Sequence, residues 1–118
     1  MRTFFRLLAF AFATLPTSLP AAEFSRANGG DLRCSLSLSG PIEPGDADDL
    51  KTFLAQNGIQ EWDLYRKDRI CLDSPGGSFS EGVKLAKLFN LRGIGTGVEA
   101  GKRCESACAL AFMGGTSV

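Results

Sequence analysis

Two short segments of this chain carry the residue types that acyl-transfer chemistry needs. The first is Asp73-Ser74-Pro75-Gly76-Gly77-Ser78, at the end of an apolar run, and the second is Cys104-Glu105-Ser106-Ala107-Cys108. A serine hydroxyl can attack a carbonyl carbon, and backbone N–H groups can stabilise the oxyanion that forms. Together the two segments indicate an oxyanion hole facing a serine nucleophile.

The glycine-rich segment predicts a sharp turn between a strand and a helix. Such a turn leaves the first N–H groups of the helix unpaired, and glycine lets a ligand approach the main chain. Gly77 is therefore a candidate oxyanion donor. The segment has neither the Lys-Ser/Thr pair of a Walker A loop nor the spacing of a dinucleotide fingerprint, so we expect no nucleotide cofactor. The alternative is a turn with no other role.

Ser106 lies among small residues that favour a closely packed helix over residues 104–110. In the first turn of that helix, the N–H of Ala107 could point at the same spot as the N–H of Gly77, beside the Ser106 hydroxyl. This arrangement would supply two oxyanion donors and a nucleophile. The alternative is that Ser106 only caps the helix or fills space.

The four cysteines permit two disulfides in three pairings. Cys104 and Cys108 are four residues apart, which on a helix is about 6 Å between Cα atoms and within the range a disulfide spans. A zinc site is not expected, because the chain has no CxxC motif and no histidine. Two alternatives remain: the cysteines are small buried apolar residues, or one is a nucleophile that also needs a base.

Residues 1–22 have the layout of a secretory signal peptide, with Arg2 and Arg6 before a short apolar stretch and small residues at its end. A membrane anchor and a buried helix are the alternatives. Removal of this segment takes two of the 13 basic residues and none of the 13 acidic ones, giving a formal charge of −2. We therefore expect a periplasmic or secreted protein that has no stable membrane span after cleavage and does not bind nucleic acid.

The remaining chain alternates between strand and helix patterns, which is typical of an α/β domain with a mainly parallel sheet. Residues 23–31 read as a leader, and residues 32–118 as a partial domain. The predicted elements are a strand over 32–39, a helix capped by Asp46 and stopped at Gly58, a loop or covering segment over 59–68, a strand over 69–73, a helix from a Ser78 capping box to Gly93, a strand over 94–98 and a helix over 104–110. Residues 111–113 either continue the last helix or start another strand.

From Leu32 to Gly115 the chain resembles the Clp protease/crotonase superfamily, in particular exported relatives of the Clp proteolytic subunit. The resemblance rests on the Ser-Pro-Gly-Gly turn, on the separation of Ser106 from it, and on Leu38-Ser39-Gly40-Pro41-Ile42, which is similar to the family's first strand. It implies the fold of that family, Ser106 as nucleophile, Gly77 and Ala107 as oxyanion donors, and a peptide or protein substrate.

The chain departs from the family in having no histidine. Without a base, the serine hydroxyl stays protonated and is a poor nucleophile. A Ser–Lys dyad would avoid that need, and Lys102, Lys84 and Lys87 are the candidates, although each reads first as a solvated surface lysine. We therefore expect a truncated member that is inactive as this segment, whose histidine and acid would be encoded beyond Val118.

Three functions fit these observations. The first is an exported serine-hydrolase-like domain of the peptidase type. The second is a non-catalytic binding or structural module of the same fold, favoured by the missing histidine. The third is a binder of acyl-CoA thioesters, which needs the paired donors without the serine, and which export disfavours because CoA is cytosolic. None of the three requires a metal or a bound cofactor.

Overall fold

The computed structural model describes residues 21–59 and 67–116. These ranges contain four strands and three helices. In chain order they are β1 (Glu23–Gly29), β2 (Cys34–Ser39), α1 (Asp46–Gln56), β3 (Arg69–Asp73), α2 (Phe79–Arg92), β4 (Gly95–Gly97) and α3 (Ala107–Met113). The predicted α/β class is confirmed.

The four strands form one mixed sheet in the order β1-β2-β3-β4. The β2–β3 and β3–β4 pairs are parallel, whereas β1 is antiparallel to β2. The segment expected as a leader, residues 23–31, thus contains a strand of the sheet. Its side chains are mostly exposed, so β1 lacks the apolar alternation by which a strand is recognised from sequence.

The central strands follow their sequence pattern. In β2 the side chains of Leu36 and Leu38 are buried while the intervening serines are partly exposed. In β3 the apolar run is buried, and Leu38 pairs with Leu72 in the parallel register. Both strands therefore end at the same edge of the sheet, where the N–H of Gly40 donates to the carbonyl of Asp73 at 2.9 Å.

Helix α2 begins and ends where the sequence predicted. The Ser78 hydroxyl accepts a hydrogen bond from the N–H of Glu81 at 3.3 Å, and Gly93 ends the helix with a φ of 66°. The Glu81 carboxylate does not complete the predicted capping box. It accepts instead from the N–H of Ala47 at 2.8 Å, which joins the start of α2 to the start of α1.

Helix α1 differs slightly from its prediction. Asp46 is the first helical residue rather than the cap, because Gly45, with a φ of 100°, occupies the cap position. The Asp46 carboxylate accepts a hydrogen bond from the N–H of Glu43 at 2.7 Å and closes the preceding turn. The Asp46 carboxylate, which was expected to cap α1, therefore stabilises the turn before α1.

The start of α3 corrects the predicted helix over 104–110. The helix begins at Ala107; before it, Cys104 forms an isolated β-bridge with Ser74, and Ser106 has a φ of 53°. The Ser74 N–H donates to the Arg103 carbonyl at 2.8 Å, and the Glu105 N–H donates to the Ser74 carbonyl at 3.1 Å. Since the backbone of this segment is bonded to the end of β3, it is not available to begin a helix.

Both cysteine pairs form disulfides. Cys34 is joined to Cys71 across β2 and β3, and Cys104 is joined to Cys108 at the start of α3. This result selects one of the three pairings, and it leaves no free thiol among the four cysteines for a zinc site or a cysteine nucleophile. Two disulfides fit a periplasmic or extracellular location.

The predicted signal peptide lies almost wholly outside the described residues, which include only Ala21 and Ala22 of it. Most of the loop predicted over residues 59–68 lies outside them as well. In the described ranges, no helix is both long and apolar enough to span a bilayer.

Candidate functional site

The glycine turn is held rigidly at the end of β3. The buried Ser74 hydroxyl accepts a hydrogen bond from the Gly76 N–H at 3.1 Å. On the other side, Ile42 donates to the Gly76 carbonyl and accepts from the Ser78 N–H, both at 2.8 Å. The Gly77 N–H donates to no acceptor among the described residues. The turn therefore presents one unused donor at a fixed position.

Glycine is required at both positions of this turn. The φ angles are 97° at Gly76 and 144° at Gly77, which L side chains rarely adopt. A Cβ at Gly76 would lie 2.6 Å from the Glu105 carbonyl oxygen and 2.9 Å from Ser106 Cβ, and one at Gly77 would collide with the Ile42 backbone. The contacts of Gly76 show that the turn lies directly against the Ser106 segment.

Ser106 is exposed and adopts a backbone conformation that is rare for a residue with a side chain, with φ 53° and ψ −119°. Such strain costs on the order of 1–3 kcal/mol, persists only where the surroundings enforce it, and clusters at functional sites. In the α/β-hydrolases a serine on a strained turn before a helix exposes its nucleophilic oxygen. The Ser106 hydroxyl has no hydrogen-bond partner among the described residues.

The Ala107 N–H is a second unused donor. Ala107 is the first residue of α3, so its N–H has no acceptor within the helix. The next amides are bonded, since Cys108 donates to the Glu105 carbonyl at 3.0 Å and Leu110 to the Ser106 carbonyl at 3.2 Å. A Cβ at Gly76 would be 3.2 Å from the Ala107 nitrogen. The structure thus brings Ser106 and Ala107 against the glycine turn that carries Gly77.

The disulfide between Cys104 and Cys108 encloses Ser106. Its Cα atoms are 5.0 Å apart, Cys108 is fully buried, and Cys104 is partly exposed. The residues on both sides of Cys104 are hydrogen-bonded to Ser74 after β3: the Arg103 carbonyl accepts from the Ser74 N–H, and the Glu105 N–H donates to the Ser74 carbonyl. The backbone on both sides of Ser106 is therefore fixed, which accounts for the persistence of its strained conformation.

The three candidate lysines are engaged or exposed elsewhere. The Lys102 ammonium lies 3.8 Å from the Asp73 carboxylate, and the Lys84 ammonium lies 3.7 Å from that of Glu81. Lys87 is exposed and lines a groove between α2 and α3. In the described ranges, none of the three lysines is hydrogen-bonded to the Ser106 hydroxyl.

One buried polar residue that the sequence did not assign to the site helps to build it. Ser74 has no exposed surface and bonds to both halves of the site, through its hydroxyl to Gly76 and through its backbone to Arg103 and Glu105. A serine two residues before a glycine is the signal that could have shown it, since serine hydroxyls stabilise such turns.

The buried Asp46 lies at the start of α1, near Glu81. Burial raises the pKa of the Asp46 carboxyl above 3.8, and the negative charges of Asp49 and Glu81 raise it further, while hydrogen bonds from the Glu43 and Ala22 backbones oppose the change. This carboxyl binds protons more tightly in the folded chain than in the unfolded one, so it makes stability depend on pH.

A cavity of about 400 Å³ lies beside the candidate site, and its lining includes Asp73, Glu99 and Lys102. Ser106, Gly77 and Ala107 do not line it. Cys34, Cys71 and Glu99 come close together there, but the two sulfurs are bonded to each other and offer no thiolate to a metal.

Comparison of the chain with protein-family models, with curated protein sequences and with solved structures finds no match.

Proposed function

We propose that this chain carries the nucleophile and the oxyanion donors of an exported serine hydrolase that acts on peptide bonds. Ser106 is the nucleophile, and the N–H groups of Gly77 and Ala107 are the donors. The observation that supports the proposal is the packing of Gly76 against Ser106 and Ala107, because the glycine turn with the unused Gly77 N–H then adjoins the segment with the unused Ala107 N–H and the exposed Ser106.

The chemistry follows from these groups. The Ser106 oxygen attacks the carbonyl carbon, the carbonyl oxygen becomes negatively charged, and the two N–H groups stabilise that charge. Donors that are fixed in advance are effective, since they need no reorganisation when the charge develops. Removal of one such donor from a serine hydrolase typically lowers the rate about 100- to 1,000-fold.

The hydroxyl proton needs an acceptor, and no hydrogen bond joins the Ser106 hydroxyl to another described residue. We therefore expect this hydroxyl to be a weak nucleophile in the absence of an added base. If the coding sequence past Val118 continues in frame and encodes a histidine followed by an acid, the proposal gains support.

Labelling with a fluorophosphonate probe tests the proposal on the chain as it stands. At neutral pH we expect little labelling of Ser106, and we expect added imidazole to accelerate it, because imidazole can accept the hydroxyl proton. Ser106→Ala should abolish the imidazole-dependent labelling, and Ser80→Ala, which removes another exposed hydroxyl at the start of a helix, should leave it unchanged.

Three results would separate the alternatives. Imidazole-dependent labelling that maps to Ser106 supports the hydrolase. No labelling of Ser106 at any imidazole concentration favours the non-catalytic module of the same fold. Rapid labelling of Ser106 without imidazole shows that the chain holds a base of its own and contradicts the account of an incomplete site.

A further inference from the structure

The two disulfides differ in how exposed their cysteines are. Cys34 and Cys71 are 2% and 9% exposed and join neighbouring strands of the sheet, where they line the cavity beside Glu99. Cys104 is partly exposed, and the residues on both sides of it, Arg103 and Glu105, are exposed. Thiol–disulfide exchange requires a thiolate to reach one sulfur of the bond. Cys104 is the most exposed of the four cysteines, so the Cys104–Cys108 disulfide meets that requirement best.

We propose that Cys104–Cys108 is a thiol–disulfide exchange site, and that its reduction releases Ser106 from its strained conformation and separates the two oxyanion donors. The effect on catalysis rests on the function proposed above, whereas the effect on the backbone does not. The partner is a dithiol of the exported compartment, and the reverse reaction with a disulfide restores the site.

Exchange with the dithiol takes two steps. One thiolate of the dithiol attacks Cys104 Sγ, the bond to Cys108 breaks, and Cys108 leaves as a thiolate that takes up a proton. The second thiolate of the dithiol then attacks the mixed disulfide, forms an intramolecular disulfide in the reductant, and releases Cys104 as a thiol. Two electrons pass to the protein, and the dithiol is oxidised to its disulfide. Attack at Cys104 is required because Cys108 is fully buried.

The strained conformation of Ser106 explains why reduction changes the backbone. The oxidised chain begins its helix at Ala107 with Ser106 at φ 53°, a conformation that costs free energy for a residue with a side chain. The disulfide is the covalent constraint that spans Ser106. Without it, Ser106 can adopt helical angles and extend α3 by one residue, while Ser74 still holds Arg103 and Glu105. The Ala107 N–H then points along the helix rather than beside the hydroxyl.

Redox titration tests the exchange site. The oxidised protein is equilibrated with increasing concentrations of dithiothreitol. Free thiols are then trapped with N-ethylmaleimide, and the modified cysteines are mapped by mass spectrometry. We expect Cys104 and Cys108 to be modified at a dithiothreitol concentration at least about tenfold lower than Cys34 and Cys71. Opening of the two disulfides together, or of Cys34–Cys71 first, would overturn the proposal.

Backbone NMR tests the conformational step without depending on catalysis. We expect the Cα and Cβ resonances of Ser106 to move towards helical values on selective reduction. The variant Cys104→Ala/Cys108→Ala should show the reduced spectrum, and it should not respond to dithiothreitol at the concentration that selectively opens Cys104–Cys108. Unchanged Ser106 resonances after selective reduction would overturn the proposal. The hydrolase fails on separate evidence, namely the absence of imidazole-dependent labelling in the oxidised protein.

Discussion

The disulfide in the sheet and the disulfide beside Ser106 have different consequences for the molecule. Cys34–Cys71 closes a separation of 37 residues and links two strands of the sheet, whereas Cys104–Cys108 closes a separation of four and encloses one strained serine. A long loop restricts the unfolded chain strongly and a short one only weakly. The first disulfide therefore stabilises the fold, and the second selects a local conformation of the folded chain.

Removal of the sheet disulfide is expected to have the largest effect on stability. The loop-length relation gives about 4 kcal/mol for Cys34→Ala/Cys71→Ala, which is a large part of the stability of a small domain. Urea unfolding monitored by circular dichroism measures it. A loss no greater than that caused by removing Cys104–Cys108 would contradict the distinction between the two regions.

Gly76→Ala tests the contact between the two halves of the site. The positive φ alone costs about 1–2 kcal/mol for an alanine, and the clash with Glu105 and Ser106 adds about 1–3 kcal/mol. Gly45→Ala is the matched control, since its φ is 100° against 97° at Gly76 and no atom lies within 4 Å of the new Cβ. Equal unfolding free energies for the two variants would show that the halves do not touch.

Removal of the site disulfide is expected to affect stability less. For Cys104→Ala/Cys108→Ala the loop-length relation gives at most about 2 kcal/mol, and relief of the strain at Ser106 offsets part of it. Amide hydrogen exchange should show faster exchange confined to the start of α3, with the sheet amides little changed. Faster exchange throughout the sheet would mean that this disulfide supports the fold as well.

Asp46→Asn is expected to have the smallest effect, and one that depends on pH. Because the folded-state pKa of Asp46 is raised, its contribution to stability is present below its unfolded value of about 3.9 and is lost as pH rises through the folded value. The variant should therefore gain stability relative to the native chain as pH rises towards 7, while its amide oxygen can still accept from Glu43.

The control for this measurement is Asp48→Asn, which changes an exposed carboxylate in the same first turn of α1. A gain in stability as large as that of Asp46→Asn over the same rise in pH would show that burial of the Asp46 carboxyl is not its cause. If Asp46→Asn loses rather than gains relative stability with rising pH, the buried carboxyl is stabilised in its charged form and the direction assigned to its pKa is wrong.

The sequence predicted those elements whose signals are local. Strand β3 is an isolated apolar run, and α2 has a serine at its cap and a glycine at its end, so both were found at or near their observed bounds. Strand β1 was missed because its side chains are mostly exposed, so its residues show no apolar alternation. It forms by pairing with β2, which the sequence of β1 alone does not indicate. The start of α3 was misplaced because backbone hydrogen bonds from Ser74 hold Arg103 and Glu105 against the end of β3.

The candidate site shows the same division. Residue types, spacing and the family resemblance named Ser106, Gly77 and Ala107 as candidates, and their roles stay a prediction. The sequence did not show that Gly76 contacts Ser106 or that Ser106 is strained. Those properties depend on the bonds from Ser74 to residues 103–105, which join segments about 30 residues apart in the chain. The strained residue, Ser106, lies directly before α3, which begins at Ala107 rather than at the predicted residue 104.

The most direct test of the central claim is the NMR response of two amides when Ser106 is phosphonylated in the presence of imidazole. The phosphonyl oxygen of this adduct takes the place of the oxyanion. We expect the Gly77 and Ala107 amide protons to move downfield together and to exchange more slowly, because both donate to that oxygen. An adduct on Ser106 that leaves either amide unchanged would contradict the claim that the two groups form one oxyanion hole.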